Sequence, residues 1–179
     1  GRKTNQEVFW DAFNKITPID DEVYKRFDEL YEHDFPKLQL ATNTNPLAAK
    51  TIRVLEEKGY NIAICTNPLY PQVATNMRLK WAGLDHNDFS IVTTYENSRF
   101  SKPNPKYYQE VLSKLNKTPE QCLMVGNDAV EDLAVKEIGV KTFLVTDNII
   151  KSDDLEIVTD YQGRFNDFYE FVLELPSIK

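Results

Sequence analysis

Residues 122–132 have the sequence CLMVGNDAVED, an apolar run that ends in a glycine and a group of acidic side chains. A short apolar run bounded by a turn signal is typical of a buried strand. Asp128 and Asp132 follow this strand four residues apart. On the helical turn that opens there, and that leads into a helix predicted from Val130 to Ile138, this spacing places both carboxylates on one face. The stretch therefore predicts a strand that delivers two carboxylates to its carboxyl end.

The same alternation continues on both sides of this segment. Short apolar runs at 62–65, 90–93 and 142–145 are separated by segments with helical periodicity. Short apolar strands that alternate with helices predict an α/β fold, a Rossmann-like parallel sheet with helices on both faces. Right-handed crossovers bring the carboxyl ends of such strands to one edge, where open sheets bind their ligands.

Residues 5–37 differ from the rest because they show helical periodicity only. Apolar side chains recur at helical spacing from Val8 to Ile16, and a second helix is expected to begin near Asp20 and to stop before Pro36. Two amphipathic helices joined as a hairpin leave apolar faces to be covered. We therefore expect this hairpin to pack on another part of the protein.

Three of the predicted strand ends carry polar groups. Thr66 and Asn67 follow the strand at 62–65, Lys102 lies in the sequence SKPNP at 101–105, and Asp128 and Asp132 follow the strand at 122–125. A hydroxyl with its neighbouring backbone N–H can hold a phosphoryl oxygen, and a lysine can neutralise phosphate charge. Carboxylate oxygens suit Mg²⁺, which takes one or two of them and keeps several waters. Together these groups predict a site for phosphoryl transfer.

At these residues the sequence resembles the haloacid dehalogenase superfamily of phosphohydrolases. The family has a strand that ends in Thr or Ser, then a Lys in a Lys-Pro-x-Pro context, then a strand followed by Gly-Asp or Gly-Asn-Asp and a further Asp. The match runs over residues 45–147 in the family's order. The resemblance implies that Thr66 and the Asn67 backbone bind the phosphoryl group of a small-molecule phosphoester. It also implies that Lys102 steadies the nucleophile and the phosphate.

The resemblance further implies a Mg²⁺ site. Asp128 would bind the metal directly or through water, and Asp132 would be a second ligand or would hold Lys102. Many family members carry the metal-binding Asp directly after the Gly, where this chain has Asn127. Either Asn127 or Asp128 could therefore face the metal.

The family's first motif, a strand ending in Asp-x-Asp, is not found at any of the 14 aspartates. Its first Asp is the nucleophile and its second is the acid and base. By resemblance, residues 1–37 are expected to be part of a helical cap, and residues 38–179 a core that lacks the first strand. That strand would lie between the strands at 62–65 and 122–125.

We expect the 179-residue chain to be inactive alone, with the nucleophile in a missing N-terminal segment of the same protein. A non-catalytic binding or regulatory relative, and completion by a strand from another chain, are the alternatives.

Composition excludes several other classes. The net charge of −7 and the pI near 4.9 do not provide the basic surface of a nucleic-acid-binding protein. No apolar run approaches the ~20 residues that span a bilayer, so no membrane partner is expected. Cys65 and Cys122 lie in strand-like runs, which favours buried thiols and a cytoplasmic location.

The order of the motifs argues against another class. Receiver domains of two-component signalling also place carboxylates, a Thr and a Lys at strand ends, but there the acidic pair comes first and the lysine last.

Overall fold

The computed structural model describes residues 2–179, and its elements alternate as the sequence predicts. The helices are α1 (Asn5–Ile16), α2 (Asp21–Glu29), α3 (Pro46–Glu57), α4 (Gln72–Trp81), α5 (Pro105–Leu115) and α6 (Phe165–Glu174). The strands are β1 (Ala63–Ile64), β2 (Ile91–Val92), β3 (Leu123–Gly126), β4 (Lys141–Val145) and β5 (Tyr161–Gly163). Every strand pair is parallel, so the predicted α/β class is confirmed.

The strands form two separate parallel sheets. One sheet has the order β1-β2 and the other the order β3-β4-β5. Within residues 2–179, β1 and β3 do not pair with each other, although Cys65 after β1 and Met124 in β3 pack against the same apolar cluster. The two sheets are therefore connected by shared packing and not by strand pairing, and the resemblance places the family's first strand between β1 and β3. The division into a cap at 1–37 and a core at 38–179 stays a prediction.

Helices cover both faces of the larger sheet. Successive strand residues point to opposite sides, so these apolar strands present apolar side chains on both faces. Val125 and Phe143 pack with α6, whose Phe168 and Val172 are buried there. Met124 packs on the opposite face with the buried tyrosines of α5. The apolar core thus lies in two layers, and the carboxyl ends of the strands open at one edge.

Two elements of the structure differ from the prediction. The helix predicted from Val130 to Ile138 is a turn followed by a 3₁₀ helix over Leu133–Ile138. The Asp128 side chain accepts hydrogen bonds from the N–H groups of Val130 and Glu131, and this local bonding replaces an α-helical start. The strand β5 was not predicted, because its sequence YQG has one large apolar residue and its outer residues are exposed.

The second helix also ends differently from the prediction. After α2 the chain continues as a π-helical turn over Leu30–Asp34 and a 3₁₀ helix over Phe35–Ala41. Pro36 therefore lies inside a helical segment, in its first turn, where a missing N–H is tolerated.

The helical hairpin α1–α2 is held together by aromatic rings. Trp10 and Phe27 lie 5.0 Å apart between ring centroids, and Phe13 and Phe27 lie 5.6 Å apart. Neither helix contains a buried residue, and Phe9 remains 39% exposed. The hairpin thus lies on the outside of the molecule. No described helix is long and apolar enough to cross a membrane.

Candidate active site

The groups predicted from the sequence meet at the carboxyl edge of the two sheets. Thr66 and Asn67 leave β1, Asp128 and Asp132 follow β3, and Lys102 lies just before α5. Hydrogen bonds, direct or through one intermediate group, connect all of these segments. The structure therefore brings the predicted site residues together.

A buried ion pair forms the centre of this edge. Lys102 Nζ donates to Asp132 Oδ1 over 2.6 Å, and the side chains are 5% and 9% exposed. The second oxygen, Asp132 Oδ2, accepts from the N–H of Asp128 at 2.9 Å. Both carboxylate oxygens of Asp132 are thus engaged, so this residue holds Lys102 in place. This is one of the two roles that the sequence left open for it.

Gly126 makes this approach possible. A β-carbon built at Gly126 would lie 2.0 Å from Asp132 Oδ2 and 2.8 Å from Asp132 Cβ. These separations are far below van der Waals contact, so any side chain at this position would push Asp132 away from Lys102. The glycine of the quoted stretch is therefore required by the close approach of Asp132.

Buried hydroxyl groups fix the backbone of Thr66. Its carbonyl oxygen accepts from Thr93 Oγ1 at 2.8 Å and from the Tyr107 hydroxyl at 3.0 Å. Thr93 is fully buried and Tyr107 is 1% exposed, so neither donor is free to move away. The Thr66 hydroxyl itself has no hydrogen-bond partner within residues 2–179 and remains available to a ligand.

Asn127 and Asp128, two of the three predicted metal ligands, each keep one side-chain oxygen without a hydrogen bond within residues 2–179. Asp128 Oδ1 accepts from the N–H groups of Val130 and Glu131 at 2.9 and 2.8 Å, which leaves Oδ2 without a partner in the described chain. Asn127 Nδ2 donates to the carbonyl of Asn148 at 2.5 Å, and its Oδ1 is likewise unengaged among these residues. The site thus offers two oxygen donors on adjacent residues.

These donors suit Mg²⁺ better than zinc. Across residues 2–179, no three His, Cys, Asp or Glu side chains are grouped so that they could hold a metal ion. Mg²⁺ needs only one or two protein oxygens and completes its octahedron with water and substrate. Asp128, with Asn127 beside it, therefore fits this ion.

Two further groups at the edge, the Glu131 carboxylate and the Tyr108 hydroxyl, were not recognised in the sequence. Asn67 Nδ2 donates to Glu131 Oε1 over 2.7 Å, which connects the loop after β1 with the turn after β3. Tyr108 donates its hydroxyl proton to the carbonyl oxygen of Glu131. Tyr108 is a buried residue of α5, and the helical spacing of that segment gives no indication of a polar contact.

The site also has a partly buried thiol. Cys65 lies between β1 and Thr66, and burial raises its pKa to about 11, although the Lys102 ammonium opposes the shift. Burial likewise raises the pKa values of the Tyr107 and Tyr108 hydroxyls. These three groups stay protonated at neutral pH and act as hydrogen-bonding and packing groups.

Comparison with known proteins identifies the family. The model of a hydrolase family described as haloacid dehalogenase-like hydrolase matches residues 3–139. This chain belongs to the haloacid dehalogenase-like hydrolase family, as its three motifs indicated.

Two similar proteins are named pyrophosphatases. Pyrophosphatase PpaX of Anoxybacillus flavithermus is 33% identical over 136 residues, which cover 74% of this chain and 59% of the relative. Pyrophosphatase PpaX of Bacillus pumilus is 29% identical over 137 residues, with the same coverage of both proteins. The chain thus spans less than two thirds of the length of these relatives.

Solved structures confirm the fold. A HAD phosphatase from Thermococcus onnurineus superimposes with a TM-score of 0.66 at 22% identity, over 94% of this chain and 72% of that one. The L-2-haloacid dehalogenase from Xanthobacter autotrophicus superimposes with a TM-score of 0.61 at 16% identity, over 96% and 74% of the two chains. At these identities the likeness concerns the fold alone.

The Lys102–Asp132 pair generates a stability prediction. Lys102→Met leaves the Asp132 carboxylate buried without its counter-charge, and we expect a loss of about 3–5 kcal/mol in the free energy of unfolding. Urea denaturation at neutral pH measures it. The matched control is Lys136→Met, since Lys136 pairs with Asp160 at the same 2.6 Å but is about one quarter exposed. This control should cost about 1 kcal/mol or less. Equal losses in the two variants would show that burial does not set the strength of the pair.

Cys65 generates a prediction about alkaline pH. Its folded pKa of about 11 lies above the ordinary value of 9.0, so the unfolded chain releases this proton first. The contribution of the protonated Cys65 thiol to the free energy of unfolding is therefore fully present below pH 9. It is lost as the pH rises towards 11, where the free energy of unfolding has fallen by about 2 kcal/mol. Denaturation midpoints at pH 8, 9, 10 and 11 would show this as a steeper decline in the wild type than in Cys65→Ala. Parallel declines would contradict the assignment to Cys65.

Proposed function

We propose that this chain provides the phosphate-binding and Mg²⁺-binding part of a phosphohydrolase that acts on small phosphorylated metabolites. The observation that carries the proposal is the buried Lys102–Asp132 pair beside Thr66 and Asp128 at one sheet edge. Family membership and the PpaX relatives, which are named pyrophosphatases, support it. The two free cysteines support a location in the cytoplasm.

Each group at the edge has a proposed role. The Thr66 hydroxyl and the Asn67 N–H donate to phosphoryl oxygens, and Lys102 neutralises part of the charge that develops on them. Mg²⁺, when bound, would neutralise phosphate charge as a Lewis acid. Asp128 is its proposed ligand with Asn127 as the second, while Asp132 mainly orients Lys102.

The proposed nucleophile comes from a strand that carries Asp-x-Asp and lies between β1 and β3. Both strands present edges there that no strand in the described chain covers. The first Asp carboxylate would form a bond to phosphorus as the bond to the leaving oxygen breaks, and the second Asp would protonate that oxygen. Water would then hydrolyse the aspartyl-phosphate. We propose the N-terminal segment of the same protein as the source of this strand.

A non-catalytic binding or regulatory role is the second candidate. The observation in its favour is that none of the 14 aspartates belongs to an Asp-x-Asp sequence. The coding sequence upstream of Gly1 distinguishes the two candidates. A strand ending in Asp-x-Asp favours the enzyme, whereas a start codon at or near Gly1 favours the binding protein.

Phosphate release tests the assignment of the nucleophile. We expect the 179-residue chain to release no phosphate from an aryl phosphate with Mg²⁺ above the background rate, because the attacking carboxylate is not among these residues. Addition of a synthetic peptide with an apolar strand ending in Asp-x-Asp should give measurable turnover. The control peptide replaces both aspartates with asparagine. Turnover by the chain alone that is abolished by Lys102→Ala would show that the nucleophile lies within these residues.

Metal binding distinguishes the two adjacent ligands. Asp128→Asn removes the charged oxygen donor and should weaken Mg²⁺ binding by about tenfold or more, whereas Asn127→Ala removes a neutral donor and should weaken it less. Calorimetric titration of each variant with Mg²⁺ measures the effect. The control is Asp153→Asn, an exposed aspartate in the segment between β4 and β5. The opposite ranking would make Asn127 the principal ligand.

A further inference from the structure

One hydrogen bond spans the boundary between the two sheets at the site. Asn67 Nδ2 donates to Glu131 Oε1 over 2.7 Å. Asn67 follows β1 of the two-stranded sheet, and Glu131 lies in the turn after β3 of the three-stranded sheet. Neither the Asn67 amide nor the Glu131 carboxylate has a role in the site proposed above, where Asn67 contributes only its backbone N–H.

Glu131 is itself held firmly. Its N–H donates to Asp128 Oδ1 at 2.8 Å, and its carbonyl oxygen accepts the hydroxyl proton of Tyr108. Tyr108 is 3% exposed, so the backbone of Glu131 is anchored from the core side. Its carboxylate is therefore presented to Asn67 from a fixed position.

This contact determines which way the Asn67 amide faces. Asn67 Nδ2 is the donor in this contact, so the NH₂ of Asn67 faces Glu131 and Oδ1 faces away. Asn67 Oδ1 is buried, and no donor in the described chain reaches it. Buried acceptors in folded proteins nearly always have partners, so this oxygen marks a place for a molecule that donates a hydrogen bond.

The partner of Asn67 Oδ1 cannot be the phosphoryl group, because phosphoryl oxygens are acceptors like Oδ1 itself. Lys102 Nζ donates to Asp132 Oδ1 and does not reach Asn67 Oδ1. We propose that Asn67 Oδ1 accepts a hydrogen bond from a hydroxyl or ammonium group on the organic part of the substrate. Glu131 is then a positioning residue that sets the orientation of the amide. The inference rests on the proposed function, since it places the phosphoryl group next to Asn67.

Binding of four probes to the whole chain in the presence of Mg²⁺ tests the inference. The probes are inorganic phosphate, ethyl phosphate, 2-hydroxyethyl phosphate and 2-aminoethyl phosphate, with Kd measured by NMR titration. We expect the hydroxyl probe to bind about tenfold more tightly than ethyl phosphate, the effect of one hydrogen bond. The amino probe distinguishes an ammonium donor from a hydroxyl donor. Only the charged ammonium is also attracted by nearby carboxylates, and this attraction lowers its Kd further.

Variants at Glu131 test its positioning role. Glu131→Ala frees the amide to turn, and the ratio of the ethyl and hydroxyethyl Kd values should fall to about one, the value without the hydrogen bond. Glu131→Gln keeps a carbonyl acceptor for Asn67 and should retain part of the preference. Glu137→Ala is the matched control, since it removes an exposed carboxylate nearby and should leave the ratio unchanged.

The outcomes separate the two proposals. A hydroxyl preference that is unchanged in both Glu131 variants would overturn the inference and leave the proposed function intact. A uniform loss of affinity for all probes would mean that Glu131 has a structural role only, and would also overturn it. Failure of the wild-type chain to bind inorganic phosphate would overturn the proposed function, and this inference with it. If Glu131→Ala does not fold, Glu131→Gln decides the question, and full retention of the preference there counts against the inference.

Discussion

The ion pair between Lys102 and Asp132 is the interaction on which the rest of the site depends. Removing two charges from water is costly, and their attraction offsets that cost only when the geometry is good and the remaining oxygens are bonded. Here the second oxygen of Asp132 accepts from the N–H of Asp128, and Gly126 leaves the space that this approach requires. The ion pair, the shape of the turn after β3 and the position of Asp128 are thus parts of one constraint.

Side chains from α5 connect the two sheets where strand pairing does not. Tyr107 bonds to the carbonyl of Thr66 after β1, and Tyr108 bonds to the carbonyl of Glu131 after β3. Lys102, just before the same helix, bonds to Asp132. Because one helix reaches both loops, the loop after β1 and the turn after β3 keep a fixed spacing. These two segments carry the proposed phosphate-binding and metal-binding groups.

The sequence predicted what local patterns determine and missed what depends on packing. Apolar runs and helical spacing predicted four strands and most helices, because burial of apolar side chains enforces those periods. The Asp128 turn was predicted as a helix, since competition between a side chain and the backbone for the same N–H groups leaves no periodic signal. The contact between Asn67 and Glu131 joins residues 64 positions apart, and no short-range pattern could indicate it.

Charge at the edge limits the chemistry that it can perform. Lys102 supplies one positive charge, whereas Asp128, Glu131 and Asp132 supply three negative ones, so the edge carries a formal charge of −2 before a ligand enters. A phosphoryl group adds further negative charge, and its approach is unfavourable unless a cation accompanies it. The unengaged oxygens of Asp128 and Asn127 are where such a cation would be bound. In the proposed function, the same carboxylates that would repel a bare phosphate therefore favour phosphate that enters together with a divalent metal ion.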